Sequence, residues 1–260
     1  MCLLAIAFQS HPDASLIVTS NRDEFYARPT LPMHWWSDAP ILAGRDAQAG
    51  GTWMGLSRRG RFAAVTNFRQ ITKDTKSPPT LLSRGQLISD FLTSDQNVDE
   101  WAKALKPAMA DYGGFNLLLY DGFNLLYLNN HDNSEILLPP GIYALSNHLL
   151  DSPWPKVDHA RDQLKQAITA DTIGAEQLPD LIACLSLEKT FPPELLPNTG
   201  VPEHWEQLLS SPFIVADGYG TRASAAIIIS ASAEISVAEQ TYEAGETLES
   251  QTFTFNACER

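Results

Sequence analysis

Apolar residues along this chain fall mostly into short blocks separated by turn formers, and only a few segments keep a helical period. Leu3-Leu4-Ala5-Ile6-Ala7-Phe8 and Leu16 to Ser20 flank a His-Pro-Asp turn, which predicts an N-terminal hairpin. A proline-rich loop is expected from Pro29 to Pro40. The glycine-rich stretch Gly50-Gly51-Thr52-Trp53-Met54-Gly55 and a strand from Phe62 to Thr66 follow it. Apolar positions 81, 82, 87, 88, 91 and 92 approach the helical period, with Thr80 or Ser83 as N-cap, and Val98 to Leu105 predicts a second, shorter helix. Strands are expected at Phe115 to Tyr120 and Asn124 to Leu128 around the Asp121-Gly122 turn, and again at Ile142 to Ser146. Helices are expected from Lys156 to Ala170 and from Ala175 to Leu187. After the proline-rich stretch Pro192 to Pro202, four closing strands are read at Phe213 to Ala216, Ala223 to Ser230, Ile235 to Glu239 and Thr252 to Phe255. Strands at both ends around a block of helices, with no repeat and no linker, predict one α+β domain over residues 1–260.

Composition narrows the function. A chain of 260 residues can bury a large core, and the 44% hydrophobic content suits a globular protein. The formal charge of −13 argues against nucleic acid or an anionic membrane as partner, because phosphate binding needs clustered Lys and Arg. The Arg58-Arg59-Gly60-Arg61 cluster is too short for such a footprint and reads as a solvated turn. Cys2, Cys184 and Cys258 show no disulfide or CxxC spacing, which suits a reducing compartment. The N-terminal apolar run lacks the basic flank of a signal peptide, and no stretch reaches the ~18–20 apolar residues of a membrane span. These features predict a soluble, cytoplasmic protein acting on a small-molecule substrate or ligand.

Cys2 is the first candidate for chemistry. An initiator methionine is usually removed when a small residue follows, which would place a thiol and a free α-amine on one residue. Such an amine can act as the base for its own nucleophile. The alternative is a buried cysteine in an N-terminal strand, behaving as a small hydrophobe. No P-loop, dinucleotide fingerprint, HExxH, EF-hand or GxSxG motif is present, and the six histidines lack metal-ligand spacing. Polar residues at strand ends remain. Asn21-Arg22-Asp23-Glu24-Phe25 follows a strand, and Asn67 and Asn147 each end one; a salt-bridged turn and simple turn caps are the competing readings.

The start Met1-Cys2, the block Asn21-Arg22-Asp23-Glu24-Phe25, Gly51-Thr52-Trp53, Val65-Thr66-Asn67, Ser83-Arg84-Gly85, Leu145-Ser146-Asn147 and Tyr219-Gly220-Thr221-Arg222 occur in order along the chain. Together they resemble the NRDE family, also called the transport and Golgi organisation 2 family. More distantly, that family resembles the N-terminal nucleophile hydrolases of the choloylglycine hydrolase and penicillin V acylase type. The resemblance implies a four-layer αββα sandwich of two mainly antiparallel sheets. It implies Cys2 as nucleophile and Asp23 as the carboxylate that orients its amine and thiol. Asn67 and Asn147 would serve the oxyanion and substrate positioning, and Arg222 would support the charged transition state. The hydrolases carry an arginine three residues before the aspartate, where this chain has Ser20; Arg22 is the substitute on the same side of the strand by parity.

Two functions follow from this resemblance. One is hydrolysis of a non-peptide amide C–N bond through a Cys2 thioester, with Trp35, Trp36, Thr52 and Trp53 contacting substrate and with no metal or cofactor. The other is a non-catalytic haem- or lipid-binding carrier on the same scaffold, in which Cys2, His34 and the two adjacent tryptophans would offer a ligand and a stacking surface. No CxxCH motif or paired-histidine motif marks a haem site.

Overall fold

The computed structural model describes residues 2–69 and 82–258. In chain order its strands begin with β1 (Cys2–His11), β2 (Ala14–Phe25), β3 (Thr30–Trp35), β4 (Ile41–Asp46), β5 (Met54–Ser57) and β6 (Phe62–Asn67). Helices α1 (Arg84–Thr93) and α2 (Val98–Leu105) follow. Next come β7 (Phe115–Tyr120), β8 (Leu125–Asn129), β9 (Glu135–Leu137) and β10 (Gly141–Leu145). The last part holds α3 (Pro155–Ala167), α4 (Leu178–Ala183), α5 (Glu203–Leu208), β11 (Val215–Ala216), β12 (Tyr219–Ser230), β13 (Glu234–Glu243) and β14 (Glu246–Asn256).

These elements form two units. The first holds a sheet in the order β10-β1-β2-β12-β13-β14, with β11 paired to β12. Strands from both ends of the chain therefore share it, as the pattern predicts. The first seven residues of β1 are buried, so both faces of that strand are covered, which is why its apolar run is continuous rather than alternating. On one face, Leu3, Ala5, Ala7, Ile17, Ala226 and Ile228 pack against Val157, Ala160 and Leu164 of α3 and Leu181 of α4. The period of two along the strands meets the helical period of the covering layer.

The second unit holds the sheet β3-β4-β5-β6-β7-β8-β9. Helix α1 buries Leu87, Ile88, Phe91 and Leu92, and α2 buries Val98, Trp101, Ala102 and Leu105. They pack against Ala43, Ala63, Val65 and Leu117 of the strands. Asn97 caps α2 by accepting from the Glu100 N–H at 2.9 Å, while Glu100 accepts from the Asn97 N–H at 3.2 Å. The strand pairings in both sheets are antiparallel. The fold class is α+β, as expected.

Several boundaries differ from the sequence reading. The expected loop from Pro29 to Pro40 contains β3, an edge strand whose register shifts between Leu31 and His34; edge position and bulge together accommodate Pro32. The glycine-rich stretch runs into β5, where a Cβ on Gly55 would lie 2.9 Å from Ala43 Cβ. The helix expected from Ala175 to Leu187 divides into a 3₁₀ turn at Ala175–Gln177 and the shorter α4, with Pro179 near its start. The last strand is longer than expected. Ala244 (φ 49°) and Gly245 (φ 86°) form a two-residue turn joining β13 to β14. Thr80 and Leu81, an expected cap and the start of the first predicted helix, lie outside the described residues. No helix among the described residues is long and apolar enough to cross a membrane.

Candidate active site

The register of the first sheet builds the site. Cys2 of β1 stands directly opposite Arg22 of β2, so the two side chains share a face. The Arg22 guanidinium lies 3.7 Å from the Glu24 carboxylate. Ser20 lies on the same face two residues away, opposite Leu4. Cys2 is 8% exposed. Burial pushes its thiol above the ordinary cysteine range, while the amino-terminal charge and Arg22 pull the other way.

Asp23 is fully buried and pairs across the strands with Thr221 of β12. The Thr221 hydroxyl donates to Asp23 Oδ1 at 2.8 Å and accepts from the Ile214 N–H at 2.9 Å. The main chain therefore fills the hydroxyl's acceptor side and directs its proton at the carboxylate. Burial raises Asp23, opposed by the amino-terminal charge, Lys156 and this hydrogen bond. Asn21, from the same sequence block, does structural work. Its Nδ2 donates to the Leu185 and Pro212 carbonyls at 2.9 Å each, and its Oδ1 accepts from Ser224 at 2.6 Å.

The register of β12 against β2 shifts between Thr221 and Ala223, which leaves Arg222 as the extra residue of a bulge. Its Nη1 donates to the carbonyls of Phe25 and Tyr26 at 3.2 and 3.0 Å, which ties it to the end of β2.

Asn147, just past β10, has no exposed surface. The Ser146 hydroxyl lies 3.2 Å from the Cys2 carbonyl and 3.3 Å from Asn147 Oδ1, within donating distance of both. Cys2, Arg22, Asp23, Asn147 and Arg222 thus belong to one unit.

The remaining sequence candidates belong to the other. Asn67 ends β6 and is exposed. Thr52 is buried, with its hydroxyl donating to the Met54 carbonyl at 3.0 Å. Trp53 packs over Gly44, where a Cβ would run into its ring. Trp36 sits in the core, with its indole N–H donating to Ala43, and Trp35 stacks under Arg58. His34 Nδ1 is 2.8 Å from the Pro32 carbonyl. Among the described residues no group of His, Cys, Asp or Glu is placed to hold a metal ion.

The model of the Transport and Golgi organisation 2 family matches residues 1–244. The chain belongs to that family. It is 31% identical over 278 residues to the mouse Transport and Golgi organization 2 homolog, covering 98% of each chain. It is 32% identical over 264 residues to the human Transport and Golgi organization protein 2 homolog, covering 92% of each. A solved arginine-to-leucine variant of the conjugated bile acid hydrolase from Clostridium perfringens superimposes with a TM-score of 0.53 over 99% of this chain and 98% of that one, at 9% identity. That likeness shows that this chain shares the fold of that hydrolase.

Thr221 and Ser146 lie within the ordered sequence blocks, where nothing local marks a role for either. Lys156, buried in α3 with its Nζ donating to the Leu209 carbonyl at 2.7 Å, carried no sequence signal at all. Burial lowers this lysine to about 8.

Proposed function

We propose that this chain is a cysteine amidohydrolase of the N-terminal nucleophile type, acting on a small N-acyl amide. The observation that carries the reading is the Cys2–Arg22 pairing beside a buried Asp23 whose carboxylate is held by Thr221. Removal of Met1 would leave the α-amine on Cys2 as the base. That amine takes the thiol proton as sulfur bonds to the substrate carbonyl carbon. Asn147 donates to the resulting oxyanion. Such a donor is typically worth roughly 3–4 kcal/mol of barrier. The C–N bond breaks as the leaving nitrogen takes the proton back from the α-ammonium. Water, deprotonated by the same amine, then cleaves the thioester to release the acid and regenerate the thiol.

Arg22 favours the thiolate that burial disfavours, and Asp23 orients the ammonium. A free thiol at the working residue fits the reducing, cytoplasmic setting read from the cysteines, and the acidic charge fits a substrate that is neither nucleic acid nor anionic lipid surface. The test combines the intact mass of the purified protein with turnover of a panel of N-acyl-7-amino-4-methylcoumarins. Loss of Met1 and loss of turnover in Cys2→Ala and Cys2→Ser, with folding retained, is the expected result. Full activity in either variant, or a retained Met1 in active protein, overturns it.

A further inference from the structure

Beyond the residues assigned so far, the first unit buries a second set of charges. Arg69 Nη2 pairs with Glu206 Oε2 of α5 at 3.0 Å, with the two side chains 7% and 6% exposed. The other oxygen of Glu206 accepts from the Thr199 N–H at 2.7 Å and the Thr199 hydroxyl at 2.6 Å. The Arg69 guanidinium lies 5.0 Å from the Trp154 ring centre.

Ion pairs this deep are poor stabilisers. Desolvation costs several kcal/mol per ion, and good geometry only repays it, so a geometric role is the better-attested use. Here the backbone shows what geometry is fixed. The Arg69 N–H donates to the Asn147 carbonyl at 2.7 Å. Arg69 is thus fastened at its side chain to α5 and at its main chain to Asn147, while Ser146 faces the Asn147 side-chain oxygen.

We infer that the buried Arg69–Glu206 pair is a positioning device for Asn147. By anchoring residue 69 it fixes the carbonyl of residue 147, and hence the direction in which Asn147 presents its amide hydrogens. The inference rests on the reading of Asn147 as an oxyanion donor. Arg69 and Glu206 touch no substrate; they act through Asn147. A displacement of about 1 Å at such a donor costs up to about a hundredfold in rate.

The test compares wild type, Glu206→Gln and the double variant Arg69→Met with Glu206→Met, which removes both charges and strands neither. Two readouts are taken: exchange of the Arg69 backbone amide by NMR, and kcat and KM on the best coumarin amide. Both variants are expected to exchange that amide about tenfold faster or more. Turnover is expected to fall about tenfold or more with KM within about threefold, a split that a general loss of stability does not produce. If Glu206→Gln fails to fold, the double variant decides. A folded double variant with wild-type exchange overturns the inference, and so does one with faster exchange but wild-type kcat. If wild type shows no Cys2-dependent turnover, the hydrolase reading falls, and the exchange data alone decide whether the pair holds Asn147.

Discussion

The Thr221 hydroxyl donates to Asp23 Oδ1 across 198 positions of sequence, with its own oxygen already occupied by the Ile214 N–H. The carboxylate thereby keeps a dedicated donor inside an interior that favours its neutral form. Thr221→Val removes the donor and strands the Ile214 N–H. Stability should fall by about 1.5–3 kcal/mol, the range for hydrogen bonds to charged groups, read by urea denaturation. Asp23 should rise further, so the acid limb of the pH profile for kcat/KM moves to higher pH. An unmoved limb would separate Asp23 from the chemistry.

Lys156 gives a pH dependence of stability. Its value falls from 10.5 to about 8 because burial disfavours the ammonium. The native state therefore binds fewer protons than the unfolded chain between those values. The penalty for burying the charge is full below about pH 8 and relaxes as pH rises toward 10.5. Relative to Lys156→Met, wild type should gain up to about 3 kcal/mol across that window, at about 1.4 kcal/mol per unit. Denaturant titrations of both proteins from pH 7 to 10.5 measure the difference, and a gap that stays constant contradicts the assignment.

Tyr219 is 4% exposed, packs edge-on against Phe25 and Trp205, and has a buried hydroxyl with no hydrogen-bond partner among the described residues. Such a group pays its desolvation without return. Tyr219→Phe should keep the ring packing and raise stability by about 1 kcal/mol, seen as a higher Tm by calorimetry.

Gly51 and Gly85 meet backbone to backbone. A Cβ on Gly51 would lie 2.6 Å from the Gly85 carbonyl carbon, and the Thr52 N–H donates to the Gly85 carbonyl at 3.4 Å. Main chain cannot swing aside as a flexible side chain does. Gly51→Ala and Gly85→Ala should each cost about 1–3 kcal/mol, the range for overpacking, in thermal melts.

The other two cysteines should differ in reactivity. Burial pushes Cys184 up to about 11, and its thiol faces the Asp180 carbonyl, whereas Cys258 is exposed. At pH 8, iodoacetamide should modify Cys258 in the native protein and reach Cys184 only after unfolding, as read by peptide mass.

The fold was legible where one face of an element is buried throughout. The run from Leu3 to Phe8, the helix Val98 to Leu105 and the hairpin around Asp121-Gly122 match β1, α2 and the β7–β8 pair. The edge strands β3 and β9 escaped the reading, and α4 and β14 were placed with the wrong lengths. Proline and exposed polar positions at a sheet margin look like loop until a neighbouring strand supplies the hydrogen bonds. Among the proposed site residues, Cys2, Asp23 and Asn147 each sit in a short ordered block that the sequence displays, and strand parity, a local property, places Arg22 on the face of Ser20. Thr221 and Ser146 lay inside such blocks, yet nothing local distinguishes a hydroxyl that serves a carboxylate from one that caps a turn. Arg69, Lys156 and Glu206 had no local pattern at all.

By itself the sequence determined the fold class, the elements whose apolar positions keep a clear period, and the family to which the chain belongs. Those properties are written in the spacing of neighbouring side chains, which the backbone period translates directly. Tertiary structure alone decided that Cys2 faces Arg22, that Thr221 meets Asp23, that Arg222 occupies a bulge and that Glu206 holds Arg69 against Asn147. Each is a pairing between distant segments. It exists only once strand register and helix docking are fixed, and the free energy that fixes them comes from the whole core rather than from the residues that meet.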